Sequence, residues 1–151
     1  MNLDYKNGNF RFNARATALI YNKDKTKLLL FKIEDGRDFY MLPGGRIEEF
    51  EDSFHAIKRE IKEELGFDLD YKLISIQENF VNINDQKIMQ YCFCYESIYY
   101  DDIIDLKIKC KDKEGQYFYW VDISDVSNFK ILPKSTYKLI NSKDIRHFIE
   151  R

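Results

Sequence analysis

Between Ser53 and Leu65 the apolar residues Phe54, Ile57, Ile61 and Leu65 recur at helical spacing, in a chain whose other apolar runs alternate with the period of strands. A helix inserted between groups of strands demands a mixed α and β architecture. Asp52 or Ser53 supplies its N-cap and Gly66 its C-terminal stop. Ahead of it, Phe10 to Tyr21 sets Phe10, Phe12, Ala14, Ala16, Ala18 and Ile20 on one face against Arg11, Asn13, Arg15 and Thr17 on the other. The apolar face is mostly small, so something must pack closely on it. Lys27 to Ile33 predicts a second strand after the polar turn Asn22 to Lys25, and Asp35-Gly36 a turn before a strand at Phe39 to Leu42. Behind the helix, strands are expected at about Tyr71 to Val81 and Lys87 to Ile98, joined across Asn84-Asp85, and at Gln116 to Val121. Pro133 then opens a C-terminal helix ending near Arg151. No repeat, low-complexity tract or linker interrupts the pattern, and residues 1–151 are expected to form a single domain around one core.

Charge excludes several partners. Lys and Arg total 24 against 26 Asp and Glu, a formal net charge of −2, so no global field draws the chain to nucleic acid or to a membrane surface. No apolar run approaches the ~20 residues that span a bilayer, and Met1 to Phe12 is too polar for a secretory core. A cytoplasmic location is expected. Cys92, Cys94 and Cys110 are odd in number and lack zinc-site spacing, which predicts buried, reduced thiols.

The chemistry-bearing residues lie on the helix. At about 100° per residue, Glu60, Glu63 and Glu64 fall within an arc of about 100°, beside the apolar stripe. Ala56 lies on the same edge one turn earlier and leaves room. Like charges at these spacings repel by a few tenths of a kcal/mol per pair, a cost that a divalent cation reverses. Glutamates flanked by Lys58, Arg59 and Lys62 are, by themselves, more often a solvated, salt-bridged face. The whole stretch decides between the two: Gly45-Arg46-Ile47-Glu48-Glu49-Phe50-Glu51, then Asp52 to Lys58, then Arg59-Glu60-Ile61-Lys62-Glu63-Glu64-Leu65-Gly66-Phe67. It resembles the Nudix signature G-x5-E-x7-R-E-U-x-E-E-x-G-U, with U bulky and apolar, at every specified position. The fixed identities, at roughly one in fifteen each, make a chance match at a given start on the order of one in 10⁸. The flanks, Tyr40-Met41-Leu42-Pro43-Gly44 before the box and Trp120-Val121 in a late strand, are also similar to that family.

The resemblance implies an α/β/α sandwich with a mixed sheet, in which the Gly45 to Phe67 loop and helix form one wall of the cleft. It implies Mg²⁺-dependent attack of water on a diphosphate linkage in a nucleoside diphosphate derivative. Mg²⁺ or Mn²⁺ is then held by Glu60, Glu63 and Glu64 with the carbonyl of Gly44, hard oxygen ligands of the kind these ions require. Glu51 and Arg59 are implied to form a structural salt bridge. Gly45 is expected to hold a backbone conformation that a Cβ opposes, and Gly66 the left-handed turn that ends the helix. Glu60 and Glu64 are implied at the reaction, and Glu114, in the loop ahead of Trp120, matches a position where some relatives place a further catalytic or metal-binding glutamate; a solvated turn is the competing reading. Arg15 and Lys32 occupy strands that pass the phosphate site in this family. Glu78-Asn79-Phe80 also resembles relatives, but Met89-Gln90 stands where many have His-Glu, which weakens any transfer of a fourth ligand there. The partner is expected to be a small nucleotide-type molecule, with a homodimer compatible. Downstream marks of ADP-ribose, dinucleoside polyphosphate and NADH specificity are missing, so the base is not named. A ligand-sensing regulator and an isoprenoid diphosphate isomerase using Cys92 or Cys94 are the readings from other classes; the intact box argues against both.

Overall fold

The computed structural model describes residues 1–151. The helical period is realised as α1, Ser53–Leu65, capped by the Asp52 carboxylate, which accepts from the His55 N–H at 2.8 Å. Gly66 closes it at φ 75°, its N–H donating to the Lys62 carbonyl. The strands are β1 (Asp4–Asn7), β2 (Phe10–Asn22), β3 (Lys27–Ile33), β4 (Gly44–Arg46), β5 (Lys72–Ile83), β6 (Gln86–Tyr99), β7 (Lys107–Lys109), β8 (Gln116–Asp122) and β9 (Arg146–Glu150). All join one sheet ordered β7-β8-β3-β2-β6-β5-β9, with β1 and β4 paired to β2. Parallel β2 and β6 run in register from Phe10 opposite Lys87 to Asn22 opposite Tyr99. Such a pair needs a long crossover, and α1 lies within it.

One irregularity positions the site. Strands β2 and β3 pair only at Tyr21 and Leu28. Below that point the chain from Met41 to Arg46 takes the place between them: Met41 exchanges backbone bonds with Phe31, the Ala18 N–H donates to the Pro43 carbonyl, and Gly44 to Arg46 pair with Thr17 to Arg15. A Cβ on Gly44, at φ 150°, would stand 2.1 Å from the Ala16 carbonyl oxygen, so only glycine lets β4 lie this close to β2. The alanines of β2 point out of the sheet toward α1, where Ala14, Ala16 and Ala18 pack with Ala56, Ile57 and Ile61.

The central strands are buried on both faces. Ala14, Ala16, Ala18, Ile20, Leu29 and Phe118 pack with Ala56, Ile57 and Ile61 of α1. On the opposite face Leu19, Tyr21, Leu28, Leu30 and Val121 pack with Val126, Ile131 and Leu139. The mixed sheet between helical layers is therefore present, but the second layer is thin: a 3₁₀ turn at Ile123–Asn128 and α2, Thr136–Leu139. No helix is long and apolar enough to cross a membrane. Cys92, Cys94 and Cys110 are free and buried, in line with the expected reduced thiols.

Two expected elements are corrected. The C-terminal helix from Pro133 stops after four residues; Ile140 and Asn141 form a turn, with Asn141 at φ 63°, and β9 then pairs in parallel with β5 from Ser75–Arg146 to Asn79–Glu150. An edge strand of β5 that would otherwise be bare outweighs local helix preference here. Phe39 to Leu42 is not a strand but two isolated bridges, Tyr40 to Ile131 and Met41 to Phe31. The hairpin at Asn84-Asp85 is as expected, with both residues at positive φ, 50° and 63°.

Candidate active site

The loop Glu48 to Asp52 is built around one guanidinium. Arg59 Nε donates to Glu51 Oε1 at 2.8 Å and Nη2 to Glu51 Oε2 at 3.0 Å, and Nη2 also reaches the Arg46 carbonyl at 3.1 Å. Glu51 Oε2 in turn accepts the Glu48 N–H at 2.9 Å. A planar fork can serve carboxylate and carbonyl together, which a lysine ammonium cannot do with the same geometry. The hydrogen bonds from Arg59 hold the Glu51 carboxyl below the ordinary carboxylate range, and Glu51 raises Arg59 in return. The loop's turn places Phe50 at φ 61° with its side chain fully exposed, a strain that no sequence period signals.

Arg59 also orders the carboxylates: Nη1 donates to Glu60 Oε1 at 2.9 Å and lies 3.5 Å from Glu63 Oε2. Burial then separates them. Glu63 has half its side chain in solvent, while Glu60 and Glu64 are buried. Glu60 fits because of Gly45, where a Cβ would lie 2.2 Å from the Glu60 carboxyl carbon. The need for glycine at this position is space for a carboxylate, not the backbone conformation expected from the resemblance. Glu64 is 2% exposed; its Oε2 has no hydrogen-bond partner, and its nearest cation is Lys113, 3.6 Å from Oε1. Burial, reinforced by the neighbouring Glu60 charge, raises the Glu64 carboxyl to about 8.

Glu60, Glu64 and Lys113 border an open cleft of about 280 Å³ that also takes in Gly44, Gly45, Arg15, Arg37, Arg46, Met41 and Gln116. Arg46 is paired to Asp4 and Arg37 to Asp35, each at 2.7 Å, whereas Arg15 has no carboxylate partner. A narrower hollow of about 50 Å³ adjoins it through Arg15 and Met41, lined by the side chains of Thr17, Gln77 and Gln90 and by Leu132 and Pro133. The structure thus brings Gly44, Gly45, Glu60, Glu64 and Arg15 to one cleft, while Glu63 is not among its lining residues and lies half exposed beside Arg59. It does not bring Lys32 there: its ammonium stacks 5.0 Å over the Tyr40 ring, because residues alternate along β3 and Phe31 and Ile33 face the cleft instead. Glu114 is also outside, almost wholly exposed and paired to Lys109 at 3.3 Å; Lys113 is the loop residue that reaches Glu64. The sequence assigns no role to Arg37, Arg46, Lys113 or Gln116, since nothing local marks them as lining a cleft.

Comparison with known proteins accords with this geometry. The family model for the NUDIX domain matches residues 11–142. The fold is similar to the MutT protein from Bacillus halodurans, with TM-score 0.70 and 14% identity over 91% of this chain and 89% of that one. It is similar also to the NUDIX domain of Shewanella oneidensis NrtR complexed with ADP ribose, with TM-score 0.64 and 16% identity over 90% and 86%. A MutT structure from work on Aliivibrio salmonicida and Vibrio cholerae gives TM-score 0.61 and 20% identity over 85% and 94%. No protein of curated function matches the chain in sequence. The chain belongs to the NUDIX family. It is a pyrophosphohydrolase of the Nudix type, a class that hydrolyses nucleoside diphosphate derivatives.

Proposed function

We propose that this chain hydrolyses the diphosphate linkage of a nucleotide or nucleoside diphosphate derivative, with Mg²⁺ or Mn²⁺ held by Glu60, Glu63, Glu64 and the Gly44 carbonyl. The observation that carries the reading is Glu64: a buried carboxylate with an oxygen lacking any partner, next to Glu60 in a cleft edged by an uncommitted arginine. An all-oxygen donor set suits either ion, and the orphan oxygen marks where a cation offsets the cost of burying charge. When bound, the ion neutralises charge developing on phosphorus and acidifies the attacking water.

The remaining work falls to the chain. Arg15, free of ion pairs, binds phosphate oxygens as the substrate enters. Arg59 positions Glu60 from the side of the Glu51 clamp, so that the carboxylate cannot swing away from Gly45. The proton of water goes to Glu60 or Glu64 on the helix, or to Glu114 if the loop bearing it closes over the bound substrate, with Gly115 at φ 71° as the hinge. Gln77, Gln90 and Thr17 offer donors and acceptors beside the phosphates for the nucleoside portion. The three free thiols suit a reducing cytoplasm.

The test is chromatographic detection of the cleaved products, a nucleoside monophosphate with pyrophosphate or with a second phosphomonoester, from a panel of nucleotides and nucleoside diphosphate derivatives with Mg²⁺, ADP ribose among them because the Shewanella relative was solved with it. Turnover of at least one compound, abolished by a chelator, is expected; tight binding of the whole panel without turnover would favour a sensing role.

A further inference from the structure

A second donor set meets the first at Glu64. The loop Cys110 to Gln116 leaves β7 and returns as β8, and two backbone bonds pin it: the Lys111 N–H to the Glu64 carbonyl and the Cys110 N–H to the Gln116 carbonyl, both at 2.9 Å. This brings ligand atoms of Glu64, Cys110 and Asp112 within 4.8 Å of one another. Cys110 is buried and its Sγ lies 3.1 Å from Asp112 Oδ1, while Asp112 is open to solvent. Glu64, 2% exposed and with one oxygen lacking a partner, is the member of this set that points to a ligand, and it is common to both donor sets.

We propose that Glu64, Cys110 and Asp112 form a site for a thiophilic divalent ion such as Zn²⁺, overlapping the Mg²⁺ site through their shared Glu64. Two carboxylates and a thiolate leave a fourth position for water, the arrangement Zn²⁺ and Co²⁺ accept readily. Mg²⁺ has little use for sulfur, so the two sites differ in the ion they select. The Cys110 thiol gives its proton to solvent as the metal–sulfur bond forms, and no change of oxidation state is involved. Lys113 must swing away from Glu64; its side chain is half exposed, so it can do so at low cost. An ion seated there draws Glu64 out of its role toward Mg²⁺, so Zn²⁺ inhibits Mg²⁺-supported turnover. That consequence rests on the hydrolase reading above, whereas the binding itself does not.

Binding is therefore read without turnover, by adding Co²⁺ alone to the reduced full-length protein and following thiolate-to-cobalt charge-transfer absorption, then displacing it with Zn²⁺. One equivalent of Co²⁺ is expected to develop the absorption, and Cys92→Ser and Cys94→Ser to retain it. Cys110→Ser should abolish it, and Asp112→Asn, at an exposed position that leaves folding intact, should weaken Co²⁺ by at least about tenfold. Lys113→Gln should tighten binding, since it removes the competing cation. No absorption in the wild type, an unchanged spectrum in Cys110→Ser, or full affinity in Asp112→Asn would each overturn the site.

Discussion

Removing the charge from Glu64 should stabilise the protein when metal is absent. The Glu64 carboxyl is raised from 4.5 to about 8, chiefly by burial. Between those values the folded state keeps a proton that the unfolded chain has released, so unfolding free energy falls as pH rises through this window. At about 1.4 kcal/mol per unit, the shift amounts to a penalty on the order of 5 kcal/mol once pH exceeds about 8, and to none well below about 4.5. Glu64→Gln keeps the shape and cannot ionise. In a chelator, thermal unfolding of wild type and variant should coincide near pH ~5 and diverge by roughly 5–15 °C near pH ~8, with the variant the more stable. Added Mg²⁺ should raise the wild type at the upper pH and leave the variant nearly unmoved, because the ion binds the folded carboxylate. Parallel curves for the two proteins across the whole range would refute the argument, since Glu64 would then titrate as it does in the unfolded chain.

Three further outcomes follow from the same geometry. Glu51→Gln leaves Arg59 without its two charge-assisted bonds and should cost about 3 kcal/mol of stability as well as rate; an unchanged Tm would remove the clamp from the account. Glu63→Gln, at a half-exposed position, should lower Mg²⁺-dependent turnover by about 10²-fold with Tm unchanged, whereas equal losses of both would indicate a structural role. For Glu114→Gln, a fall of about 10²-fold with a flattened acid limb in the pH–rate profile marks a base, and a fall rescued by excess Mg²⁺ marks a ligand. Wild-type kinetics would return Glu114 to the exposed turn where the structure places it.

What the sequence disclosed and what it withheld divide along the range of the interactions involved. The span of helix α1 was legible, since its period and its capping residues lie within a single stretch of chain; of the two N-cap candidates, Asp52 and Ser53, the structure uses Asp52. The Asn84-Asp85 hairpin was legible for the same reason. Strand β9 was not, because nothing near residues 146–150 foretells that β5 has a free edge to receive them. Strand β4, at three residues, is too short for any period to show, although it is the piece that carries Gly44 and Gly45 under the helix.

The same division runs through the site. A helical projection puts Glu60, Glu63 and Glu64 on one edge as near equals, and they are not equal in the fold. Glu63 faces solvent, Glu60 lies against Gly45, and Glu64 is covered by a loop some fifty residues further on, held to it by the Lys111 N–H. The burial that lifts the Glu64 carboxyl, the approach of Lys113 and the proximity of Cys110 all descend from that one long-range contact. Like charges on a helix edge are individually a minor cost. Burying one of them beneath a loop is a major one, and it is this second cost, invisible in the spacing of glutamates, that keeps the Glu64 carboxyl protonated until pH approaches about 8.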